Sequence, residues 1–343
     1  MIRSSEIISQ FYYLFPLHRC AYKLINRKED KMLRGTTKLF SSLICCSIAL
    51  LLLIYSSSAA TYRNIPNKYQ RTIDSQLEAD FEYYIKSQRN RKRLAASDRT
   101  SFVVYDISKN KKLVSINEDR QMMAASIIKN FVMLAYFHEV KYGRQKHTDN
   151  NKGHLRAMIR VSSNSSTNYF INLLGGPARV DRILKANYPY FKQTKIVEKI
   201  PYGGRTYKNM TSARDLSTFF LRLWQNKLPF SEKMKWYFKL KNGDYIFKQT
   251  YIPASVAVYN KTGTVYGLVG DGGVLVLKDP QGRSRPYIFI GMMEDRTKTN
   301  RRNRWESFYN WKNRRANIIR RLSEKAYKYI YENHYGGRLA RRN

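Results

Sequence analysis

The stretch MMAASIIKNFVMLAYFHEV, residues 122–140, is an apolar run that carries two reactive side chains near its start. Ser126 and Lys129 are three positions apart, a spacing that puts both on one face of a helix. A serine at a helix N-terminus also meets free backbone N–H groups and the positive end of the helix dipole, which stabilise an alkoxide. The sequence therefore predicts a helix from Ser126 to Gly143 that presents a hydroxyl and an amine together.

This pair is informative only with support from elsewhere in the chain. Lys129 accepts the serine proton only as a neutral amine, which requires burial and a neighbouring cation to lower its pKa. The same Ser-x-x-Lys pattern occurs at 108–111 inside a polar turn. Taken alone, Ser126 is better explained as a helix cap beside a solvated Lys129.

A second motif, Ser162-Ser163-Asn164, lies within a helix-rich segment. A hydroxyl here can relay a proton to a departing nitrogen, and the amide of Asn164 can orient both Lys129 and a substrate carbonyl. The alternative is an ordinary polar loop, because serine and asparagine continue to Ser166.

A third motif, Lys261-Thr262-Gly263, follows the strand-like segment 256–259. On an edge strand Gly263 lets a ligand approach the backbone, while Lys261 supplies a cation and Thr262 a hydroxyl for a carboxylate. A turn between strands explains the glycine equally well, but it does not explain a lysine at the end of an apolar strand.

In order and spacing, the three motifs resemble those of the serine β-lactamase and penicillin-binding-protein superfamily, specifically the class A β-lactamase-like proteins. The segments 164–176 and 210–216 resemble the regions that follow the family's second motif and begin its next helix. The resemblance covers about residues 70–335. It implies an α+β (α/β three-layer) fold, in which an antiparallel five-stranded sheet is flanked by N- and C-terminal helices and carries a helical lobe over about 120–250.

The resemblance also implies roles for individual residues. Ser126 is the acylated nucleophile, Lys129 the base and Ser162 the proton relay, while the N–H groups of Ser126 and Thr264 form the oxyanion hole. The substrate-binding residues that it implies are Asn164, Lys261, Thr262, Gly263 and Thr264.

Two positions depart from the family pattern. Ser163 stands where the family usually has an aspartate with a structural role. The Glu-x-x-Leu-Asn motif that activates the deacylating water is missing, and Glu198, near the expected distance, lacks the expected neighbours. Glu198 is therefore either a deacylation base or, as is usual for glutamate, a surface carboxylate. In the second case the acyl-enzyme is long-lived.

Hydrophobic periodicity predicts the other elements of the fold. We expect a hairpin from two strands and a turn at 102–116, a mainly helical section over 154–228, and chain breaks at 175–177 and 201–204. The remaining predictions are helices at 67–87 and 305–331 and strands at 256–259, 265–269, 273–277 and 287–291.

The N-terminal 60 residues have the pattern of an export segment. Basic residues precede an uncharged run at 39–62, and small residues end it near Ala60. The alternatives are a signal peptide cleaved after Ala60 and a retained signal anchor, with translation starting at Met32 in either case. Both place the β-lactamase-like domain, residues 61–343, on the periplasmic or extracellular side of the membrane.

Charge and composition restrict the partners. The chain has 63 Lys and Arg against 25 Asp and Glu, a net charge of +38, of which +5 belongs to residues 1–60 and +33 to the rest. Such a field attracts anionic cell-envelope polymers or lipid. Export and the absence of a nucleic-acid-binding motif argue against nucleic acid. The histidines lack metal-ligand spacing and all three cysteines precede residue 47, so we expect no metal, no cofactor and no disulfide in the domain.

Three functions remain open at this stage. The first is an exported serine hydrolase that attacks β-lactam or D-Ala-D-Ala-like amides through Ser126. The second is a penicillin-binding D-alanyl-D-alanine peptidase-like protein with slow deacylation. The third is a non-catalytic envelope-binding module that uses its charge.

Overall fold

A five-stranded antiparallel sheet forms the centre of the fold, and its strands come from both ends of the chain. Their order across the sheet, by number along the chain, is 2-1-7-6-5, and strands 3 and 4 form a separate pair. The strands are β1 (Arg99–Asp106), β2 (Lys111–Ile116), β3 (Met122–Met123), β4 (Met210–Thr211), β5 (Ala257–Val265), β6 (Leu268–Lys278) and β7 (Ser284–Glu294).

The computed structural model describes residues 75–300 and 306–339. Helices cover both faces of the sheet, and six of them lie between β2 and β5. They are α1 (Ser75–Asn90), α2 (Lys129–Lys141), α3 (Asp149–Arg160), α4 (Asn164–Leu173), α5 (Pro177–Asn187), α6 (Ala213–Trp224), α7 (Ser231–Lys239) and α8 (Phe308–Tyr329).

Side chains alternate between the two faces of β1, as the period of a strand requires. Val103 and Tyr105 join the apolar cluster formed with α2 and α6, whereas Phe102 and Val104 join the cluster formed with α1 and α8. The sheet is thus the middle of three layers with an apolar core on each side, which confirms the predicted α+β architecture.

The hairpin and the edge position of β5 are as predicted. The strands after β5 are longer and fewer than the sequence predicts. The segment 265–269 is not a strand, because Gly267 turns the chain with a φ of +115°. β6 then runs without interruption through 270–273. Glycines weaken a strand signal in sequence. Packing explains their presence, since a Cβ at Gly272 would lie 2.6 Å from the Cδ1 atom of Ile290.

Several helix boundaries also differ from the predictions. Ser126 does not begin the α-helix: residues Ala125–Ile128 form a 3-10 turn, and α2 starts at Lys129. The middle section is helical except over 188–212, where Asn and Asp side chains hold an irregular segment. The C-terminal helix ends at Tyr329 and continues as a π-helical turn, Ile330–His334.

Some predictions lie outside the described residues. These are the start of the first helix, the apolar run 39–62 and the residues around Met32 and Ala60. The boundary at residue 60 and the insertion of a lobe at about 120–250 stay predictions. Within the described ranges, each helix is too short or too polar to cross a lipid bilayer.

A buried ion pair ties the chain before β1 to the last helix. Arg315 of α8 contacts both carboxylate oxygens of Asp98 at 2.6 and 2.7 Å, and both residues are 2% exposed. Sequence analysis of charge did not foresee this pairing, because Arg315 lies in a basic run that resembles a surface patch. Arg315 is buried and forms hydrogen bonds with both oxygens of the Asp98 carboxylate. It therefore fixes the orientation of α8 against the chain before β1 and adds nothing to the surface charge.

Removing the carboxylate should therefore destabilise the fold. We expect Asp98→Ala to lower the free energy of unfolding by about 3–5 kcal/mol, because it leaves Arg315 charged, buried and unpaired. Equilibrium urea denaturation measures this change. The control is Asp119→Ala, whose partner Arg214 is partly exposed and whose own side chain is 64% exposed, so its loss should cost less than about 1 kcal/mol. Equal losses in the two variants would contradict the assignment.

Candidate active site

Ser126 lies in the 3-10 turn between β3 and α2, and its side chain is half-buried. The turn is anchored on both sides. The Ala124 N–H donates to the Asn209 carbonyl at 2.8 Å, and the first turns of α2 are buried in the core. Ala125 has a φ of +43°, a left-handed conformation that costs energy in any residue with a Cβ. The fold therefore holds Ser126 in one fixed position, directly after a strained residue.

Lys129 is fully buried, and its amine lies among four oxygen atoms. Its Nζ is 2.9 Å from Ser126 Oγ, 2.9 Å from Ser162 Oγ, 2.6 Å from the Ser162 carbonyl oxygen and 2.9 Å from Asn164 Oδ1. No carboxylate of the described chain forms an ion pair with it. Burial, and secondarily the cation of Lys261, lower the pKa of Lys129 well below that of an exposed lysine. A neutral amine here can accept the Ser126 proton.

The second motif connects the two lysines. Ser162 has a φ of +56°, and its Oγ accepts from Lys129 Nζ at 2.9 Å and from Lys261 Nζ at 3.2 Å. Asn164 is the first residue of α4, and its side-chain oxygen contacts Lys129. A hydroxyl between two amines can pass a proton from one side of a reacting amide to the other.

Ser163 has a structural role, which explains the departure from aspartate. Its side chain caps α4 by accepting from the Ser166 N–H at 3.1 Å. Serine and aspartate are both good N-cap residues, so either one can fix the start of this helix.

Lys261 lies on the edge strand β5 and is 1% exposed. Its Nζ donates to the Thr262 carbonyl at 2.8 Å as well as to Ser162. Burial lowers the pKa of Lys261 to about 8, although the carboxylate of Asp271 opposes this change. Near neutral pH the amine is therefore a buried cation beside Ser162, suited to a substrate carboxylate.

Gly263 allows β5 to pack against the turn that holds Ser126. A Cβ at this position would lie 2.7 Å from Ile127 Cγ1 and 2.8 Å from the Ala124 carbonyl oxygen. These distances are too short for any side chain. The predicted oxyanion donors, the N–H groups of Ser126 and Thr264, thus belong to two segments in direct contact.

Sequence reasoning missed the segment that covers β5 from the other side. The hydroxyl of Tyr245 is 3.1 Å from Thr264 Oγ1, and a Cβ at Gly243 would lie 3.1 Å from Thr262 Oγ1. Thr262 and Thr264 remain half-buried. The signal for this contact was weak, since 240–256 has neither helical nor strand periodicity.

Glu198 is bound to its own loop. One carboxylate oxygen accepts from the Thr206 hydroxyl at 2.7 Å and from the N–H groups of Tyr207 and Lys208 at 3.0 Å each. It is also the only carboxylate in the sequence between residues 188 and 211. These three hydrogen bonds give Glu198 a structural role, which is to hold its own loop in shape.

The same loop is fixed to α4 beside the site. Asn168 donates to the Ile200 carbonyl and accepts from the Ile200 N–H, both at 2.8 Å. A Cβ at Gly204 would lie 3.1 Å from the side-chain nitrogen of Asn164, so the loop closely approaches this motif residue. Its turn presents Tyr202 fully to solvent. The loop therefore forms one rim of the site.

The arrangement has the parts of an acyl-transfer site: a fixed hydroxyl, a buried amine of low pKa, a bridging hydroxyl and a second cation. Among the described residues, no cluster of three or more His, Cys, Asp and Glu side chains could hold a metal ion.

The close packing at Gly263 gives a test of this geometry. We expect Gly263→Ala to slow any reaction at Ser126 by about 100-fold, because a methyl group here pushes the turn away from β5 by a large part of an ångström. The overpacking should also cost about 1–3 kcal/mol of stability. Reaction of Ser126 with a fluorophosphonate or a fluorescent penicillin measures the rate.

The control is Gly153→Ala on α3, where an added Cβ meets no atom within 4 Å. It should leave the rate unchanged and slightly stabilise the helix. A Gly263→Ala protein that reacts as fast as wild type would refute the tight contact.

Comparison with known proteins agrees with this fold. A sequence model of the Beta-lactamase enzyme family matches residues 86–152 and 150–330. No curated protein matches the chain. Solved structures do, among them a single-residue mutant of PBP-A in an acyl-enzyme complex with penicillin G, with a TM-score of 0.59 and 20% identity over 75% of this chain and 96% of that one.

Two β-lactamases are similar at the same level. One, from Chitinophaga pinensis, has a TM-score of 0.59 and 13% identity over 74% of this chain and 98% of its own. The other is an ancestral class A β-lactamase, GNCA, with a TM-score of 0.57 and 15% identity over 74% and 99%. At these identities the structures show the common fold, and the family match covers most of the chain. The chain belongs to the Beta-lactamase enzyme family.

Proposed function

We propose that the protein attacks β-lactams or D-Ala-D-Ala-like amides through Ser126 and forms an acyl-serine. One observation carries the proposal: the fully buried amine of Lys129 lies 2.9 Å from both Ser126 Oγ and Ser162 Oγ. A lysine is rarely buried without a carboxylate partner unless its neutral form has a use. The family match supports the same chemistry.

In the proposed reaction, Lys129 takes the proton from Ser126 as its Oγ bonds to the amide carbonyl carbon. The carbonyl oxygen becomes an oxyanion beside the N–H groups of Ser126 and Thr264. When the C–N bond breaks, Ser162 gives its proton to the departing nitrogen and regains one from the neighbouring amines. The products are an acyl ester on Ser126 and a free amine.

The substrate class follows from charge. Lys261 and the hydroxyls of Thr262 and Thr264 lie on one edge strand beside Ser162. A carboxylate on the leaving side of the amide would meet this cation and accept hydrogen bonds from the hydroxyls. β-Lactams and D-Ala-D-Ala peptides both carry a carboxylate there.

We propose that deacylation is slow, so that the protein binds penicillins and does not destroy them efficiently. Hydrolysis of the ester requires a base that activates water. Glu198, the only carboxylate in the loop at the rim, is engaged by three donors of that loop. The similar PBP-A structure contains an acyl-enzyme with penicillin G, which is compatible with a stable ester.

Time-resolved intact mass spectrometry tests the proposal directly. After mixing with penicillin G, we expect the protein to gain the mass of one penicillin and to keep it for minutes to hours. Each tenfold in ester lifetime corresponds to about 1.4 kcal/mol of missing transition-state stabilisation. Rapid turnover of a chromogenic cephalosporin would instead identify an efficient β-lactamase.

Two variants complete this experiment. Ser126→Ala should remove the adduct entirely. Glu198→Gln should leave the ester lifetime unchanged if Glu198 only shapes the loop, and lengthen it at least tenfold if Glu198 is the base. A wild-type protein that never gains mass would favour the non-catalytic binding module.

We further propose that the domain is exported and remains either free or anchored by residues 39–62. The support is the basic, apolar and small-residue order of the first 60 residues. Cell fractionation with a C-terminal tag checks this location. A tagged chain found only in the cytoplasm would contradict it.

A basic surface favours anionic envelope polymers as a second partner. The segment 222–241 has six basic residues and one acidic residue, and four of the lysines are exposed. Trp236 beside them is 48% exposed and lies under Arg156, whose guanidinium carbon is 5.3 Å from the ring centre. Such a surface attracts polyanions in a salt-dependent way.

We expect the protein to bind immobilised polyphosphate and to elute at a lower salt concentration after charge reversal in this segment. The variant replaces Lys227, Lys233 and Lys239 with Glu. Its control reverses the same number of exposed charges elsewhere, at Lys86, Lys109 and Lys278. Equal shifts in both would mean that total charge decides binding and that the segment has no special role.

A further inference from the structure

Cations lie over aromatic rings along three neighbouring elements of the fold. The guanidinium carbon of Arg156, on α3, is 5.3 Å from the ring centre of Trp236 on α7. One turn further along α7, the Nζ atom of Lys239 is 5.9 Å from the ring centre of Tyr259 on β5. α7 packs against both α3 and β5. We call these four residues the cation–aromatic strip.

The two cations of the strip are held by rings and are not neutralised. A ring face attracts a cation through its quadrupole and carries no carboxylate. Within the described part of the chain, neither Arg156 nor Lys239 forms an ion pair. Lys235 on the same helix differs, because it lies over the ring of Trp224 at 5.1 Å but also donates to the Glu232 carboxylate at 2.8 Å. The strip therefore presents two positive charges to an external anion.

The chain on either side of these cations adds positive charge. Residues 150–180 and 233–243 contain no aspartate or glutamate. Arg160, which is also exposed, follows Arg156 by one turn of α3, a rise of about 6 Å. Asp149 and Glu232 immediately precede the two segments, and each is paired with a lysine. The sequence around the strip thus supplies no free carboxylate to oppose an anion.

Both ends of the strip lead to the active site. α3 ends at Arg160, and Ser162 follows two residues later. On β5, Tyr259 is two residues before Lys261, so both side chains project from one face of the strand about 6–7 Å apart. The Nζ atom of Lys261 is in turn 3.2 Å from Ser162 Oγ. The strip is therefore continuous with the meeting point of the second and third motifs.

The order of residues along β5 determines which part of a substrate reaches the strip. In the proposed reaction the oxyanion lies beside the Thr264 N–H, and the carboxylate on the leaving side lies beside Lys261. A line from Thr264 through Lys261 continues along the strand to Tyr259. Because a strand is extended over so few residues, the leaving portion of a longer substrate points towards the strip. The inference rests on the proposed function, since it uses these roles.

We propose that the cation–aromatic strip binds an anionic chain, and that the preferred substrates are amides whose leaving portion continues as a chain of carboxylates. Arg156 and Lys239 each bind one carboxylate beyond the one at Lys261. A membrane surface fits less well, since Trp236 is the only largely exposed ring of the strip and lipid binding requires an apolar face. Nucleic acid also fits less well, because a cation already lies on each ring where a base would stack.

The first test measures binding in the Ser126→Ala protein, which has no hydroxyl to acylate. Its probe is fluorescently labelled poly-L-glutamate, and its readout is fluorescence anisotropy. We expect Arg156→Ala combined with Lys239→Ala to raise the dissociation constant by about tenfold or more, because both held cations are lost. Since no acylation takes place, this result separates failure of the inference from failure of the proposed function.

The matched control removes two cations that also lie over rings, on other elements of the fold. Lys109, in the turn between β1 and β2, is 5.3 Å from the ring centre of Tyr335, and Lys312 of α8 is 5.1 Å from that of Tyr309. Lys109→Ala combined with Lys312→Ala removes the same total charge, and we expect it to change the dissociation constant by less than about twofold. Equal weakening in the two double variants would overturn the strip as a binding site.

The second test determines whether the strip is continuous with the active site. Acylation of the wild-type protein by a fluorescent penicillin is timed with and without saturating poly-L-glutamate. We expect the polymer to slow acylation by about tenfold, because its carboxylates compete for Lys261. The Arg156→Ala, Lys239→Ala protein should lose this inhibition at the same polymer concentration. A fluorophosphonate, which has no carboxylate, should react with Ser126 at nearly the same rate in both conditions.

Three outcomes of these measurements would contradict the proposal. Polymer that binds the strip and leaves penicillin acylation unchanged would overturn the link to the active site. Equal slowing of the penicillin and the fluorophosphonate would overturn competition at Lys261. Tighter binding to phosphatidylglycerol vesicles than to poly-L-glutamate would show that the strip is a membrane contact.

Discussion

The burial of the Lys129 amine without a carboxylate partner is the constraint around which the site is built. A lysine in that position is stable only if oxygen atoms satisfy its hydrogen bonds and its charge is removed. Four oxygens from Ser126, Ser162 and Asn164 satisfy the first condition, and the Lys261 cation promotes the second. Two sequence-distant segments, 126–129 and 162–164, therefore meet at the Lys129 nitrogen, and β5 joins them through the contact of Lys261 with Ser162.

The local part of this arrangement follows from sequence. Ser126 and Lys129 are one helical turn apart, so their proximity depends only on backbone geometry. The strained φ of Ala125 was not foreseeable, because it depends on Asn209 and β5 holding the turn. The meeting of Ser162 and Lys261 is non-local, and only the family resemblance indicated it.

The glycine-rich strand β6 shows where sequence patterns fail. Its glycines suggested a break, yet they exist because Ile290, Leu216 and Ile127 fill the space of their missing side chains. The single acid between them, Asp271, had no visible partner in the sequence. Likewise, the bonds of Glu198 depend on the path of its loop, which no periodicity encodes. Long apolar helices and alternating strands were predicted well because burial alone determines them.

The pairing of β1 with β7 has a consequence for how the molecule is made. Arg99 is opposite Glu294, so the middle of the sheet joins residues almost two hundred positions apart. During synthesis β1 and β2 emerge early as a hairpin. The other edge of β1 remains unpaired until β7, nearly two hundred residues later, has been synthesised. Such a topology folds slowly, because loop closure precedes most of the stabilising contacts. The five-stranded sheet therefore cannot be completed until the C-terminal strands have left the ribosome.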